Sequence, residues 1–325
     1  MVSEPAPPER AGASESERLQ AARTRVVGAL VVFASSIAFS TKAILVKLAY
    51  RQGVDSVSLL ALRFGFSAPF FAYAAFGSRL RGTPPPRALT RREMVTLIAL
   101  GVLGYYLASL SDFIGLRYIS AGLERLILFV YPTLVVVIEA GLFKIRLERR
   151  QALALLVTYA GIFLAFRGEF GNLGSDVPRG AAWVFVSALT YALYLIGAGR
   201  MVPRLGSQRF TALALLSATA AVLLHASLSG AKLVGLPPVA YAIGLVMALL
   251  ATVLPAFLLA RGIALIGSGP AAIVSTIGPV STIVLAYLVL QEAISGTEFV
   301  GTALVVSGAT LVASSSKRLK AEAST

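Results

Sequence analysis

The chain has 325 residues, of which 57% are hydrophobic and 14% are charged, and its formal net charge is +14. A soluble domain carries roughly 25% charged residues, and the apolar residues here form runs of about 20, the length that crosses a bilayer core. The composition therefore excludes a soluble globular protein and indicates a polytopic membrane protein. The positive charge does not indicate a nucleic-acid partner, because the basic residues lie between the apolar runs, where membrane topology places them.

The predicted elements begin with a polar tail at residues 1–25, which has no apolar core and is expected to be disordered. A first repeat follows at 26–167, a second at 180–316, and a short tail at 317–325. Each repeat contains five apolar runs joined by short connections. The ten predicted spans are 26–49, 56–77, 94–116, 121–142, 151–167, 180–200, 208–228, 238–261, 269–290 and 298–316.

Lys and Arg residues are concentrated on one side of the predicted membrane. They cluster in the first tail, in the connections 78–93, 143–150 and 200–209, and in the last tail, whereas the connections on the other side contain few. Cytoplasmic loops carry this excess of basic residues. Both termini are therefore predicted to be cytoplasmic, in a multi-pass protein of the cell inner (plasma) membrane surrounded by lipid.

The sequence pattern of residues 120–161 is repeated 147 residues later. Three positions keep the same residue type in both copies: Gly122 and Gly269, Pro132 and Pro279, and Gly161 and Gly308. Because each repeat has an odd number of spans, the second must enter from the opposite face. The predicted fold class is therefore an all-α membrane protein of ten transmembrane helices in two inverted five-helix repeats. Such repeats are typical of secondary transporters, whose substrate site lies near the midplane. A structural membrane protein that duplicated for packing reasons is the alternative.

Several motifs in the two halves resemble those of one family. They are Leu62-Arg63-Phe64, Ile119-Ser120-Ala121-Gly122, Tyr131-Pro132, Gly269-Pro270-Ala271-Ala272, Gly278-Pro279, Gln291-Glu292, Gly301 and Gly308. The chain resembles the drug/metabolite transporter superfamily, specifically the ten-span EamA-type transporters. That family usually has Gly-Glu after the fourth span of each half, where this chain has Lys144-Ile145 and Gln291-Glu292. The resemblance implies efflux of small polar metabolites such as amino acids, through a cavity lined by spans one to four and six to nine.

Lys42 lies inside the first span, on one helical face with Ser35 and Phe39. A Lys in hydrocarbon is costly, so it is expected to face a cavity or a partner. At an offset of 152 residues, Phe39 corresponds to Tyr191 and Lys42 to Tyr194. These four residues are predicted to bind substrate. The alternative for Lys42 is a side chain that extends to the membrane surface, and that interpretation is favoured for Lys47.

Arg63, in the second span, is also a predicted substrate-binding residue, because its planar guanidinium can bind a carboxylate with two hydrogen bonds. The alternative is an ion pair with Asp112 or Glu124, and these two carboxylates are predicted to form an outer gate. Tyr106 and Tyr131 are predicted to line the cavity, although membrane tyrosines are often interfacial anchors. His225 is the only histidine, and a surface position is favoured over a proton-shuttle role.

Pro132 and Pro279 are predicted hinges, because a proline interrupts helical hydrogen bonding and the two occupy equivalent places. Enzyme classes find little support. A metal site would need several histidines or carboxylates, and a Gly-x-x-x-x-Gly-Lys phosphate loop is absent. The chain contains no cysteine, which excludes disulfides and Cys-ligated metals. We therefore predict no catalytic residue, metal or cofactor.

The predicted function is secondary transport, with export of small polar metabolites such as amino acids by alternating access. A flippase for a lipid-linked metabolite is the alternative, because it would use the same fold. The sequence leaves the substrate, the transport direction, the energy coupling and the oligomeric state, including a homo-oligomer, open.

Overall fold

The computed structural model describes residues 15–80, 88–143, 156–165 and 176–322, together with the single residues 153 and 167. Within these ranges all regular structure is helical and no strand occurs. Among the described residues, eight helical segments are long and apolar enough to cross a membrane. They are Ala22–Arg51, Ser56–Gly77, Arg91–Gly115, Ala121–Glu139, Val177–Leu205, Ser207–Leu228, Pro238–Ile266 and Ile273–Leu290.

Several of these segments consist of two or more shorter helices. In chain order the α-helices are α1 (Glu15–Arg51), α2 (Ser56–Leu80), α3 (Arg91–Gly101), α4 (Ala108–Gly115), α5 (Ala121–Leu128), α6 (Tyr131–Phe143), α7 (Leu156–Ala165), α8 (Val177–Leu205), α9 (Ser207–Leu228), α10 (Pro238–Ala248), α11 (Leu254–Ile266), α12 (Ser268–Ser275), α13 (Ile277–Leu285) and α14 (Gly296–Glu322). Within the described ranges, the π-helical segments Val102–Leu107, Leu249–Val253 and Ala286–Leu290 continue them.

The predicted spans five and ten and the predicted tail are only partly described. Helix α7 lies within span five, and α14 continues to Glu322, beyond the predicted end of span ten at 316. Helix α1 begins at Glu15, so residues 15–25 are helical where a disordered tail was predicted. Leu, Gln, Ala and Arg in this stretch are good helix formers and extend the apolar helix. Residues 1–14 and the basic connection 144–150 lie outside the described residues.

The two halves of the chain pack against each other. Helix α1 packs on α11 and α13, α2 on α9, and α4 on α8. Small residues allow the closest of these approaches: a Cβ atom at Gly262 would overlap the Val32 side chain, and one at Gly180 would lie 2.7 Å from Ile119 Cγ2. Close backbone approach at small residues is how membrane helices gain packing energy.

Proline accounts for two breaks in the bundle. Pro132 cannot donate a hydrogen bond to the carbonyl four residues earlier, at Leu128, and α5 ends at Leu128. In the second half, Pro279 has the same relation to Ser275, the last residue of α12. Both predicted hinge residues therefore follow an interruption of a membrane-spanning segment.

Asp55 caps α2 in the connection between the first two spans. Its Oδ1 accepts hydrogen bonds from the backbone N–H groups of Val57 (2.9 Å) and Ser58 (3.0 Å). Burial raises the pKa of this carboxyl, but the hydrogen bonds from Ser58 and Val57 outweigh burial and lower the pKa overall. A lowered pKa stabilises the fold above the unfolded-state value, and this contribution is lost as the pH falls through the folded-state value. The cap is therefore intact at neutral pH.

Candidate functional site

A cavity of about 270 Å³ lies between the two halves. The resemblance predicts a cavity lined by spans one to four and six to nine, and residues of each of these eight spans line this cavity. Parts of two π-helical segments border it, through Tyr105 in Val102–Leu107 and Thr252 in Leu249–Val253. π-Helical turns occur frequently at functional sites. The volume suits a metabolite smaller than the drug-sized ligands of typical pockets.

Lys42 connects three helices through two buried carboxylates. Its Nζ donates hydrogen bonds to Asp112 Oδ2 at 2.6 Å and to Glu124 Oε1 at 3.2 Å. Lys42 is 5% exposed, Asp112 1% and Glu124 0%. Lys42 therefore faces the cavity and two partners, and the alternative in which its side chain extends to the membrane surface is wrong. Asp112 lines the cavity beside Lys42, whereas Glu124 lies behind the lining.

Arg63 lines the cavity and forms no ion pair with a carboxylate in the part of the chain that the structure describes. Its Nε donates to Thr252 Oγ1 at 2.8 Å, and its Nη1 donates to Ser109 Oγ at 3.4 Å. Its guanidinium also lies 5.2 Å from the centre of the Phe64 ring. The alternative of an ion pair between Arg63 and Asp112 or Glu124 is wrong, because within the described residues both carboxylates pair with Lys42. Thr252, which belongs to the second half, instead holds Arg63 across the cavity.

Arg125 is a cavity residue that the sequence interpretation missed. It is 7% exposed, and its guanidinium lies 5.0 Å from the centre of the Phe39 ring. Its Nε has no hydrogen-bond partner among the described residues. The available signal was its position inside the apolar run 121–142, where an arginine is expected to face a cavity.

A group of tyrosines forms one wall of the cavity. Tyr131 and Tyr191 line it as predicted, with ring centroids 5.0 Å apart, and Tyr105 lines it as well. Tyr194 stands behind this wall, where its hydroxyl lies 2.9 Å from that of Tyr105 and its ring stacks on Tyr191. Tyr194 was predicted to contact substrate, and it supports the residues that line the cavity instead.

Tyr106 also lies outside the cavity lining. Its hydroxyl lies 2.9 Å from Nδ1 of His225, which is half-buried on α9. The π-helical segment that contains both tyrosines explains why Tyr105 lines the cavity in place of Tyr106. An extra residue in the turn changes which side chain faces a given neighbour, and α-helical spacing cannot anticipate that change.

Gly104 makes room for Tyr194. A Cβ atom at this position would overlap the Tyr194 ring. We expect Gly104→Ala to lower the free energy of unfolding by roughly 1–3 kcal/mol, the usual cost of overpacking a core. The matched control is Gly199→Ala on α8, where no atom lies within 4 Å of the added Cβ, and helix propensity alone leaves stability unchanged or slightly raised. Thermal unfolding of the purified proteins measures both changes. Equal unfolding temperatures for the two variants would contradict this packing.

Contacts join the two halves at the end of the bundle where α1 leads into α2. Lys47 Nζ lies 3.8 Å from Glu292 Oε1, and Glu292 Oε2 accepts a hydrogen bond from the Ala121 N–H at 3.0 Å. Arg51 Nη2 donates to the Leu290 carbonyl at 2.8 Å. Lys47, for which an extended surface conformation was favoured, therefore contacts a carboxylate of the second half.

The cavity combines unused acceptors and donors. Asp112 Oδ1 is buried without a hydrogen-bond partner in the described part of the chain, and the same holds for Glu124 Oε2 and Arg125 Nε. Counted as ionised, the cavity and its border hold three cations, Lys42, Arg63 and Arg125, against the carboxylates of Asp112 and Glu124. Buried polar groups normally have partners. The arrangement is therefore suited to a ligand that carries both an ammonium and a carboxylate. No group of three or more metal-ligating side chains occurs within the residues that the structure describes.

Comparisons with known proteins give a consistent picture. The EamA-like transporter family matches residues 26–167 and 178–314. The uncharacterized transporter YcbK of Bacillus subtilis is 29% identical over 86% of this chain and 90% of its own length. The uncharacterized transporter sll1319 of Synechocystis is 26% identical over 86% and 91%. One crystal structure aligns with a TM-score of 0.61 at 19% identity, over 90% of this chain and 98% of that one. At this identity the likeness concerns the fold alone.

Proposed function

The chain belongs to the EamA-like transporter family, and from that premise we propose that it exports small zwitterionic metabolites of the amino-acid type by alternating access. It is a multi-pass membrane protein of a transporter family, and its relatives are named as transporters. The proposal adds the substrate class, the direction and the mechanism.

One observation carries the substrate class: two residues that line the cavity hold a buried acceptor and a buried donor without a hydrogen-bond partner among the described residues. Asp112 Oδ1 can accept hydrogen bonds from a substrate ammonium, and the guanidinium of Arg125 can donate to a substrate carboxylate. Arg63 provides a second cation for the carboxylate end. Phe39, Tyr131 and Tyr191 supply apolar surface for a side chain. A zwitterion would give Asp112 Oδ1 and Arg125 Nε the partners that the described residues do not provide.

We infer that the two halves are inverted repeats that rock against each other. The helix contacts between the halves are symmetric. The contact of α1 with α11 has its counterpart in the contact of α8 with α4, and α2 contacts its own counterpart, α9. The π-helical segments at Val102 and Leu249 begin at the 147-residue offset of the sequence repeat. The breaks before Pro132 and Pro279 follow the same offset, which supports a hinge role for both prolines.

Asp112 and Glu124 act as a gate in this proposal. Through Lys42 they hold α1, α4 and α5 together, and Lys47 contacts Glu292 farther along α1. In this proposal these contacts close that end of the cavity, and opening requires α1 to move away from at least one of these partners. Substrate that binds to Asp112 weakens its bond to Lys42, which links binding to opening.

We propose that both chain termini face the cytoplasm, in accord with the distribution of Lys and Arg. The absence of cysteine makes a direct measurement feasible. A cysteine at Ser229, in the connection after α9, is expected to react with an impermeant maleimide added outside intact cells. A cysteine at Ser207, at the start of α9, is expected to react only after the membrane is opened. The reverse pattern would overturn the orientation.

Transport in liposomes tests the function. The full chain is reconstituted, and exchange of a radiolabelled mixture of the twenty common L-amino acids is measured against empty liposomes. We expect counterflow that saturates and that is lost in Arg125→Gln. Correctly folded protein that moves no amino acid would refute the substrate class. Movement of a lipid-linked sugar or amine in the same liposomes would then favour a flippase.

A further inference from the structure

The π-helical segment Leu249–Val253 turns the hydroxyl of Thr252 toward Arg63. Thr252 Oγ1 donates a hydrogen bond to the Met247 carbonyl, five residues earlier, at 3.1 Å. In α9, by contrast, the hydroxyl of Thr219 bonds the carbonyl four residues earlier, which is a usual pattern for threonine in an α-helix. The longer separation is the one that a π-helical turn brings together. The direction of the Thr252 hydroxyl therefore depends on the π-helical turn.

The hydroxyl of Thr252 can only accept a hydrogen bond from Arg63. Its single hydrogen is donated to the Met247 carbonyl, so Oγ1 offers its lone pairs to Arg63 Nε, which lies 2.8 Å away. Both Arg63 and Thr252 are buried, so little water competes for this bond. Arg63 belongs to the first half of the chain and Thr252 to the second. The bond therefore fixes the guanidinium relative to the opposite half.

The bond to Thr252 leaves one edge of the Arg63 guanidinium for a ligand. Nε carries a single hydrogen, which it donates to Thr252, so the fork formed by Nε and Nη2 is not available to a carboxylate. The remaining fork consists of Nη1 and Nη2. Nη1 has a long contact of 3.4 Å with Ser109 Oγ, and Nη2 has no hydrogen bond within the described ranges. Because Arg63 lines the cavity, this fork can bind a carboxylate with two parallel hydrogen bonds.

The first half contains a counterpart of this arrangement. Tyr105 lies 147 residues before Thr252, in the π-helical segment Val102–Leu107. Its hydroxyl lies 2.9 Å from that of Tyr194, in the second half. Each of these two π-helical turns thus presents a hydroxyl to the opposite half. Tyr105 meets a tyrosine and Thr252 meets a cation, so the turn of the second half orients a charged group in the cavity.

We propose that Thr252 is a positioning residue that sets the preference of the cavity for a carboxylate over a neutral carboxamide. A carboxylate offers two coplanar oxygens to the Nη1–Nη2 fork of Arg63, whereas a carboxamide offers one. Without the bond to Thr252, the guanidinium turns about its Cδ–Nε bond and the fork no longer has one orientation. Arg63 keeps its charge in that case, so the loss is one of geometry. The selectivity rests on the proposed function, whereas the bond between Arg63 and Thr252 does not.

Selectivity is tested in liposomes that contain the full chain. Counterflow of the radiolabelled amino-acid mixture is inhibited either with unlabelled amino acids or with the corresponding amino-acid amides. Thr252→Val keeps the shape of the side chain but lacks the hydroxyl. We expect it to weaken inhibition by amino acids about tenfold and to leave inhibition by the amides nearly unchanged. Thr252→Ser keeps the hydroxyl and is expected to retain the wild-type preference.

Two further variants complete this comparison. Thr219→Val removes a buried hydroxyl on α9 outside the cavity lining, and its preference is expected to equal that of the wild type. Arg63→Lys keeps the charge but has no fork, so it is expected to lose the preference although Thr252 is intact. A wild-type preference in Arg63→Lys would overturn the proposal even if Thr252→Val did not fold.

The bond itself is tested without substrate, by nuclear magnetic resonance of the full chain in lipid with isotopically labelled arginine. The Nε–H signal that disappears in Arg63→Lys belongs to Arg63. We expect this hydrogen to exchange slowly with water in the wild type and in Thr252→Ser, and at least about tenfold faster in Thr252→Val. Equal exchange in the wild type and Thr252→Val would overturn the positioning role.

The transport outcomes separate the selectivity from the proposed function. An unchanged preference in folded Thr252→Val would overturn the selectivity and leave amino-acid transport in place. A parallel loss of inhibition by amino acids and amides would also overturn it, because that pattern indicates a general disturbance of the cavity. A wild type that moves no amino acid would refute the proposed function and the selectivity with it. Slow Nε–H exchange that depends on Thr252 would in that case still support the anchored arginine.

Discussion

Lys42→Ala is expected to reduce transport at least about tenfold and to lower the free energy of unfolding by roughly 3–5 kcal/mol. The substitution leaves Asp112 and Glu124 buried without the ammonium that both contact at hydrogen-bond distance. It also removes a connection among α1, α4 and α5 beside the cavity. Transport of the radiolabelled amino-acid mixture measures the first effect. Thermal unfolding of the purified protein measures the second, and surface expression corrects for misfolded chains.

Two lysine variants separate the role of Lys42 from that of any charge on α1. Lys47→Ala removes a lysine about one turn nearer the end of the same helix. Lys47 Nζ lies 3.8 Å from Glu292 Oε1, and both side chains are partly exposed. Such pairs contribute at most about 1 kcal/mol, so near-wild-type stability and transport are expected. Lys42→Arg keeps the charge and is expected to retain part of the activity. An active, stable Lys42→Ala together with an inactive Lys47→Ala would show that the wrong lysine was chosen.

The elements of the fold were accessible from sequence because they depend on composition over long windows. Apolar runs of membrane length predicted the eight segments that the structure describes as able to cross a bilayer. The cost of an intramembrane charge identified Lys42 and Arg63 as residues that face the interior. Pro132 and Pro279 stood out because proline acts on the carbonyl four residues before it, and the helices end at that place.

The partners of those residues could not be predicted, because they depend on rotation of a helix about its axis. Asp112 and Glu124 were expected beside Arg63, yet they contact Lys42, since α1 presents Lys42 to both α4 and α5. The π-helical segment Val102–Leu107 rotates the side chains of its span about the helix axis by a fraction of a turn relative to an α-helix. That change separates Tyr105, which lines the cavity, from Tyr106, which contacts His225. No pattern in one sequence records an added residue in a helical turn.

Arg125→Gln is expected to lower amino-acid transport by about thirtyfold or more, with the loss mainly in apparent affinity. Removal of one member of a buried charge contact with a ligand typically costs 2–5 kcal/mol. The fold itself loses little, because Arg125 Nε has no hydrogen-bond partner among the described residues. Stability is therefore expected to be unchanged or slightly higher once this buried charge is removed. Concentration-dependent counterflow and thermal unfolding distinguish the two effects.

Arg125→Lys and Arg117→Gln complete the experiment. Lysine keeps the charge but cannot bind a carboxylate with two parallel hydrogen bonds, so intermediate affinity is expected. Arg117 lies near the same end of the bundle, is exposed, and stacks on the Tyr50 ring at 5.5 Å. It does not line the cavity, so its loss tests the general effect of one cation at this end and is expected to leave transport intact. A carboxylate site in the cavity predicts loss of activity in Arg125→Gln and none in Arg117→Gln. Equal loss in both variants would contradict that site and show that the arginines act through long-range electrostatics.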